Sequence, residues 1–449
     1  MHKDIKVLRF LLDENNQFKR VIENYNIDHA PFCTLVDGCV NEYHLKEWWT
    51  DRSIPVTRDG YKYIKENIPG EDSLSLLIKS HALSLDDQYW VKEAEEDINY
   101  DDISFFSNKF SNDVGDIIVG KSKNKNPSFY SPDSTSNGNL KKRWKIIKGQ
   151  KYLLKAGSQP HQHEIINEII ASRVMFILGI DHVEYDLYID DGKPYCRSLD
   201  FINYNEDFVS AYQLKQSYKK RNDISLYDHL LMVAENIGFS DYKTYLNKML
   251  FIDFLLANQD RHLNNFGVIR DAKSLEFIRV APIFDTGSCL GYNLSDDELK
   301  KLTKCDWMPF QSQKHKDQLS LIDDFSWLNI ELLETVPLNI EMFLGRYVDF
   351  VSEGRRNAIV EFLVNRVNYI FRYLKIDKEI PMTGFETSIF ERKLLKYTKD
   401  HGGELYDLDS LTKVFDVAYI TIYRAVSNLT KKGLLIRRGA RKNGYWVLP

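Results

Sequence analysis

Met249 to Ala257 is apolar at almost every position, and the eight residues that follow, Asn258 to Asn265, are polar except for Leu263. A helix that is apolar all round must be buried, so it delivers the polar stretch from inside the fold. Phe266 to Ile269 is apolar again, Asp271-Ala-Lys-Ser274 is turn-like, and Leu275 to Val280 is largely apolar. That pattern reads as a hairpin. It returns the chain so that Asp285, in Ala281-Pro-Ile-Phe-Asp285-Thr-Gly287, comes back beside Asn265. A buried helix, a polar loop, a hairpin and a returning acid leave few folds open.

The residue types in this arrangement suit phosphoryl transfer. That reaction asks a protein for positioning, for Mg²⁺ to offset charge, and for a group that orients or deprotonates the attacking hydroxyl. Asp260 and Asn265 stand five residues apart, the spacing that kinase catalytic loops use between base and second metal ligand. Mg²⁺ takes oxygen ligands, commonly one or two carboxylates plus phosphate oxygens, and Asn265 with Asp285 would supply the protein's share. Asp260 would take the hydroxyl proton, and His262 is expected to brace the loop. The competing reading is a polar turn rich in Asn and Asp, and the second acid beyond the hairpin argues against it.

At these residues the chain resembles a known family. Asn258-x-Asp260-x-His262-x-x-Asn265, followed by Ala281-Pro-x-x-Asp285, is similar to the HipA-like serine/threonine kinases of bacterial toxin–antitoxin systems. The Asp260-Arg-His-x-x-Asn265 core is also similar to the lipid kinases that phosphorylate phosphatidylinositol. The resemblance covers roughly residues 125 to 375. It implies a two-lobed kinase fold in which Asp260 is the catalytic base and Asn265 and Asp285 hold Mg²⁺.

An ATP-binding half is expected upstream. Gln150-Lys-Tyr-Leu-Leu-Lys155 reads as a short strand ending in a lysine, the kinase part that pairs with ATP phosphates and is steadied by a helix glutamate. Glu164 to Leu178 has helical apolar periodicity. Glu168 resembles the family's helix glutamate, and Glu164, one turn earlier, is the rival partner. Tyr130 to Trp144 is turn-rich, with a single glycine, Gly138, among small hydroxyl residues. Backbone N–H groups in such a loop can approach phosphate, and a flexible surface loop is the equal alternative. The resemblance implies an autophosphorylated serine there, with Ser134, Thr135 and Ser136 as candidates by position. It also implies a lobe-connecting hinge at Cys196-Arg-Ser-Leu199-Asp200, with Leu199 offering backbone groups to adenine and Asp200 facing the ribose.

A second signal lies at the carboxyl end. Residues 386–449 carry 12 Lys and Arg against 7 Asp and Glu, so this segment is +5 in a chain whose net charge is −5, and the remainder is −10. Helices are expected at Ile389 to Lys399, Leu408 to Phe415 and Tyr419 to Lys432, followed by two strands around a basic turn between Gly433 and Leu448. That layout, with Ile420 to Leu435 in particular, is similar to bacterial winged-helix regulators. Tyr419, Thr421, Arg424 and Asn428 would face the major groove, where Arg reads guanine and Asn reads adenine. Arg437, Arg438, Arg441 and Lys442 in the wing would meet phosphates. Winged helices also dock proteins, and a charge run is usually a solvated face. Both alternatives stand beside DNA.

The fold class expected is α+β: a two-lobed protein-kinase-like, HipA-like fold with an N-terminal subdomain and a C-terminal winged helix-turn-helix domain. The boundaries read as 1–125 for the N-terminal subdomain, 126–203 for the small lobe, 204–376 for the large lobe, 377–385 for a linker, and 386–449 for the winged helix. The N-terminal part is expected to hold helices at Ile5 to Leu12 and Asp72 to His81 and to use Tyr89 and Trp90 as core. At 43% hydrophobic and 13% aromatic the chain has ample material for several cores. Five cysteines without Cys-x-x-Cys spacing point to reduced thiols rather than a zinc site or disulfides. No window holds eighteen apolar residues and no signal-peptide core is present, so a soluble cytoplasmic protein without membrane contact is expected.

The activity expected is an ATP- and Mg²⁺-dependent serine/threonine protein kinase acting on a protein hydroxyl. The resemblance implies autophosphorylation, a growth-arresting role and an antitoxin partner. Two other classes remain: a DNA-binding regulator whose kinase fold senses nucleotide, and a small-molecule or phosphoinositide-type kinase. The joint presence of Lys155, Asp260, Asn265 and Asp285 favours the protein kinase.

Overall fold

The computed structural model describes every residue except 37, 69, 125, 136, 137, 139, 304–307, 311–313, 381–388, 432, 433, 440–443 and 449. Ser136, Arg441, Lys442, Cys305 and most of the expected linker therefore lie outside the described residues. The chain divides into two compact units. One comprises Met1–Phe176, Ile180–Asn293 and Thr303–Phe325, and the other Ile177–Gly179, Leu294–Leu302 and Ser326–Pro449. Helices and strands are mixed, and among the described residues no helix is long and apolar enough to cross a membrane.

The first unit holds a four-stranded antiparallel sheet in the order Lys142–Ile147, Gln150–Lys155, Lys193–Leu199, Asp186–Asp190. Lys148 and Gly149 make the first turn, both with positive φ, which keeps the hairpin tight. The register sets Lys142 opposite Lys155, and Lys155 opposite Cys196. The helix His163–Leu178 follows the lysine strand. A second antiparallel sheet, in the order Phe277–Val280, Gly267–Asp271, Glu206–Ser210, contains the expected hairpin and adds a third strand.

Tyr242–Leu256 forms the expected buried helix, with 12 of its 15 residues buried, so it is covered nearly all round. Each fully buried Leu, Ile or Phe there contributes about 1.5–3 kcal/mol. The helix ends at Ala257, in the left-handed conformation (φ 52°, ψ 51°) that breaks the helix and starts the polar loop.

The N-terminal residues belong to the same unit. Trp90, Tyr100, Phe105 and Phe110 form a core with Trp144 of the first sheet, and Tyr89 is buried in the neighbouring cluster. Asp207 ties this region to the second sheet, accepting from Arg270 at 3.0 Å and lying 3.1 Å from His2 Nε2. One expectation fails here. Leu8–Leu12 is a strand, not part of a helix, and pairs antiparallel with Phe18–Asn24. Its side chains alternate between half-buried and exposed, the period of two that a strand imposes. Ser73–Lys79 is helical as expected, closed by a capping box between Asp72 and Ser75.

In the second unit the helices Ile330–Leu344 and Glu353–Tyr373 pack together. Leu338 of the first also joins a core formed by Phe390, Leu394, Leu411, Ile422, Val426 and Leu429. The carboxyl-terminal part contains helices Ile389–Asp400, Leu408–Phe415 and Tyr419–Lys431 and a three-stranded sheet in the order Glu404–Leu405, Tyr445–Val447, Ile436–Arg438. The helices fall where the sequence puts them, and Glu404–Leu405 is a strand it did not reveal.

Candidate active site

Asp253 is an acid inside an otherwise apolar buried helix, and it is fully buried. A buried carboxylate needs a partner, and the partner is Arg261, also fully buried. Its guanidinium Nε donates to Asp253 at 3.0 Å and Nη2 at 2.9 Å. The remaining donors reach the Asn265 carbonyl at 3.1 Å, the Phe284 carbonyl at 2.6 Å and Thr286 Oγ1 at 2.9 Å. One side chain thus joins the end of the buried helix, the Asp260–Asn265 loop and the Asp285 loop. Breaking such a pair by removing one partner costs about 3–5 kcal/mol, because a buried charge is left alone.

Within the loop, Asn265 Nδ2 donates to the Asp260 carbonyl at 3.2 Å, which leaves its side-chain oxygen as an acceptor. Asn258 is anchored by its amide to Asp253 at 2.9 Å. His262 Nδ1 lies 3.3 Å from the Asn264 N–H and accepts from it, bracing the turn. Asp260 itself is half-buried.

The Asp285 loop meets the first sheet at Lys155. The ammonium donates to Glu168 Oε1 at 2.8 Å and to Asp285 Oδ1 at 2.6 Å, and Tyr185 Oη lies 3.3 Å away. Burial opposes the lysine's charge, but the carboxylates of Asp285 and Glu168 outweigh it and hold the pKa well above its usual value. Burial likewise works against the Asp285 carboxylate, yet Lys155 and Lys142 keep it well below the usual range. For Glu168 burial wins, and its pKa is raised. Its second oxygen accepts the Thr286 N–H at 2.9 Å. The rival acid, Glu164, accepts instead from the hydroxyl and N–H of Ser158.

Gly287 is what allows this closeness. A Cβ there would stand 2.8 Å from Glu168 Cγ and 3.0 Å from the Glu164 carbonyl, closer than side chains pack. Asp285 adopts a left-handed backbone, φ 56°, which aspartate tolerates better than most residues.

The other sequence candidates are placed as follows. Leu199 ends its strand and is 46% exposed. Asp200 Oδ1 accepts the Ile202 N–H at 3.1 Å, whereas Oδ2 is buried without a partner among the described residues. Burial pushes that carboxyl well above the usual range. Ser134 and Thr135 are buried in and after the short 3-10 turn Pro132–Ser134. Their hydroxyls donate to the carbonyls of Phe129 at 3.2 Å and Leu83 at 2.6 Å, so neither is presented to a ligand. Tyr419, Arg424 and Asn428 are exposed on the helix Tyr419–Lys431, and Thr421 is half-buried. Arg437 and Arg438 are exposed on their strand.

The sequence reading missed Arg261, Tyr185 and Asp253. A lone Asp in an apolar helix was a usable signal for the ion pair. Tyr185 carries no motif, and nothing in the sequence marked it.

Residues 136–334 match the profile of the family described as HipA-like C-terminal domain. The serine/threonine-protein kinase CtkA of Helicobacter pylori strain J99 is 31% identical over 160 residues, which cover 32% of this chain and 48% of that protein. The chain thus spans about half the length of the curated relative it matches. Among solved structures, a Helicobacter pylori proinflammatory kinase CtkA aligns with a TM-score of 0.43 and 19% identity over 55% of this chain and 95% of that one. A chain from the Shewanella oneidensis MR-1 toxin–antitoxin complex of HipA, HipB and operator DNA aligns with a TM-score of 0.52 and 13% identity. That alignment covers 85% of this chain and 99% of the other.

Proposed function

Since residues 136–334 carry a HipA-like C-terminal domain, we propose that the chain is an ATP- and Mg²⁺-dependent kinase of serine or threonine hydroxyls on proteins. The observation that carries the reading is Lys155, held between Glu168 and Asp285 while Arg261 locks the Asp285 loop to the Asp260–Asn265 loop. The relative named a serine/threonine-protein kinase supports the reaction class.

The residues fit a magnesium ion. Asp285 has one oxygen on Lys155 and its carboxylate is 36% exposed, and Asn265 keeps its side-chain oxygen free of hydrogen bonds among the described residues. Two hard oxygen donors suffice where phosphate and water complete the octahedron. No group of three or more His, Cys, Asp or Glu among the described residues forms a self-contained metal cage, and this chemistry needs none. Bound Mg²⁺ would offset the charge on the phosphates being transferred.

The protein's own steps follow. Asp260 accepts the proton of the attacking hydroxyl as its oxygen bonds to the terminal phosphorus and the bond to the bridging oxygen breaks, leaving ADP. Lys155 orients the phosphates, and Glu168 holds Lys155 in place. A ribose hydroxyl would satisfy the unpartnered oxygen of Asp200, with Leu199 beside the base. His262 shapes the loop. Phosphate could be accepted at Ser134 or Thr135 only after the turn opens, because their hydroxyls are engaged with backbone.

The carboxyl-terminal helices and basic strand are read as a winged helix that binds DNA or a protein partner. Exposed Arg424, Asn428, Arg437 and Arg438 favour DNA, and the exposed aromatic pair Tyr419 and Tyr423 suits either ligand. A HipA with HipB and operator DNA among the solved structures of similar fold makes a regulatory partner a reasonable object of search.

Calorimetry with a non-hydrolysable ATP analogue tests the site. The wild type should bind it more tightly with Mg²⁺, and Asp285→Ala should lose that dependence. Equal magnesium dependence in the two proteins would refute the metal assignment.

A further inference from the structure

The ammonium of Lys155 has three hydrogens, and three acceptors engage it before any nucleotide arrives: Glu168 Oε1, Asp285 Oδ1 and, at 3.3 Å, Tyr185 Oη. The two carboxylates already have roles in the kinase reading, and the phenol has none. Tyr185 stands between the helix His163–Leu178 and the strand Asp186–Asp190 and is 8% exposed. Its N–H donates to Ser172 Oγ of that helix at 3.3 Å.

Chain register brings Tyr185 to Asp285. The segment before the tyrosine runs parallel to the segment before the acid. The Val183 N–H donates to the Ile283 carbonyl at 2.9 Å, and the Ile283 N–H to the Asp181 carbonyl at 3.2 Å. Two residues further on, Tyr185 Oη accepts the main-chain N–H of Asp285 at 3.4 Å. Asp285 lies outside any strand, with φ 56°, so no ladder supplies an acceptor for that N–H. The next N–H, of Thr286, goes to Glu168 Oε2 at 2.9 Å. Glu168 and Tyr185 thus each hold both Lys155 and one main-chain N–H of the Asp285 loop.

We infer that Tyr185 is a positioning residue for metal binding, its hydroxyl fixing the main chain of Asp285 while Lys155 exchanges a carboxylate for a phosphate. The inference rests on the kinase reading and adds a residue to it. A phosphate oxygen that takes a hydrogen from Lys155 must displace one of the three acceptors. Where it displaces Asp285, that side chain loses its ammonium, and main-chain contacts alone keep the carboxylate in place. A left-handed backbone is disfavoured for a residue with a side chain, so the freed loop would relax without them. Burial, followed by the charge of Glu168, holds the phenol pKa above its usual value, and the hydroxyl stays a neutral acceptor for both donors. The ammonium also lies 5.1 Å from the ring centroid. Tyr185→Phe keeps that ring and removes the hydroxyl alone.

The test is calorimetry of the full chain, wild type beside Tyr185→Phe, with a non-hydrolysable ATP analogue in Mg²⁺ and again in EDTA. Thermal melting checks that each protein is folded at the titration temperature. The quantity read is the gain in affinity that Mg²⁺ brings. In Tyr185→Phe that gain should be smaller by about fivefold, the scale of one net hydrogen bond, and by about twofold at the least. A gain within twofold of wild type overturns the inference. That holds even where affinity falls equally with and without the metal ion, since a parallel loss marks a hydroxyl that only supports the fold. A wild type without any gain refutes the kinase reading and this inference together, whereas a gain kept in both proteins refutes this inference alone. Should Tyr185→Phe fail to fold, Tyr185→Met, also apolar and without a hydroxyl, carries the same comparison.

Discussion

Single side chains decide whether the two loops of the site stay together. Arg261 touches three segments at once, and a side chain without N–H donors can make none of these hydrogen bonds. Arg261→Met should lower stability by about 3–5 kcal/mol in urea denaturation and abolish phosphate transfer. A variant that melts like the wild type would show that the buried pair is dispensable. Asp207 makes the corresponding junction with the N-terminal region, between His2 and Arg270. Burial alone would raise its pKa, but the hydrogen bond from His2 and the charge of Arg270 hold it down to about 2. Its stabilisation, about 2 kcal/mol, is therefore present above the ordinary aspartate value and lost as pH falls from about 4 through 2. Wild type should exceed Asp207→Asn in stability at pH 5, with the gap closing toward pH 2. A gap that stays constant over that range would contradict the assignment.

At the same scale the sequence was uneven. The pairing of Lys155 with Asp285 and of Asp260 with Asn265 in the proposed site was legible because order and spacing are themselves the signal. Glu168 and Glu164 lie one turn apart on the same helix, and their partners separate them, since Glu168 accepts from Lys155 and Glu164 from Ser158.

Elements position these residues through close contact. The helix His163–Leu178 approaches the Asp285 loop so nearly that Gly287 has no room for a methyl group. Gly287→Ala should displace Glu168, loosen its hold on Lys155 and raise KM for ATP while leaving the melting temperature within a few degrees. An unchanged KM would mean the loop shifts freely. Long elements with a clear apolar pattern were read correctly, among them the helix His163–Leu178 and the carboxyl-terminal part of Tyr242–Leu256. The strand Leu8–Leu12 was misread because its partner, Phe18–Asn24, is what makes it a strand. The turn between them, with Asp13 Oδ1 accepting from the N–H groups of Asn15 and Gln17, was the overlooked signal. The two-residue strand Glu404–Leu405 is too short to show any period.

Across the whole molecule the residues proposed for phosphate transfer, Lys155, Glu168, Asp260, Asn265 and Asp285, all lie in the first unit, and the basic carboxyl-terminal helices and strands lie in the second. The acidic remainder and basic carboxyl end were visible in composition, whereas the packing of Leu338 into the carboxyl-terminal core was not, since it joins helices far apart in sequence. Replacing Arg437 and Arg438 together with Glu should abolish DNA retention in a mobility-shift assay at low salt and leave phosphate transfer unchanged. Unaltered retention would assign DNA contact elsewhere or to no part of the chain.

The central claim is that Asp260 serves a phosphate-transfer site built around Lys155, Asn265 and Asp285. Intact mass and phosphopeptide mapping after incubation with Mg²⁺-ATP, wild type beside Asp260→Ala, test it most directly. Phosphate on serine or threonine, of the chain or of an added protein, is expected with the wild type alone. Equal phosphate with Asp260→Ala, or none with a wild type that binds Mg²⁺-ATP, would contradict it.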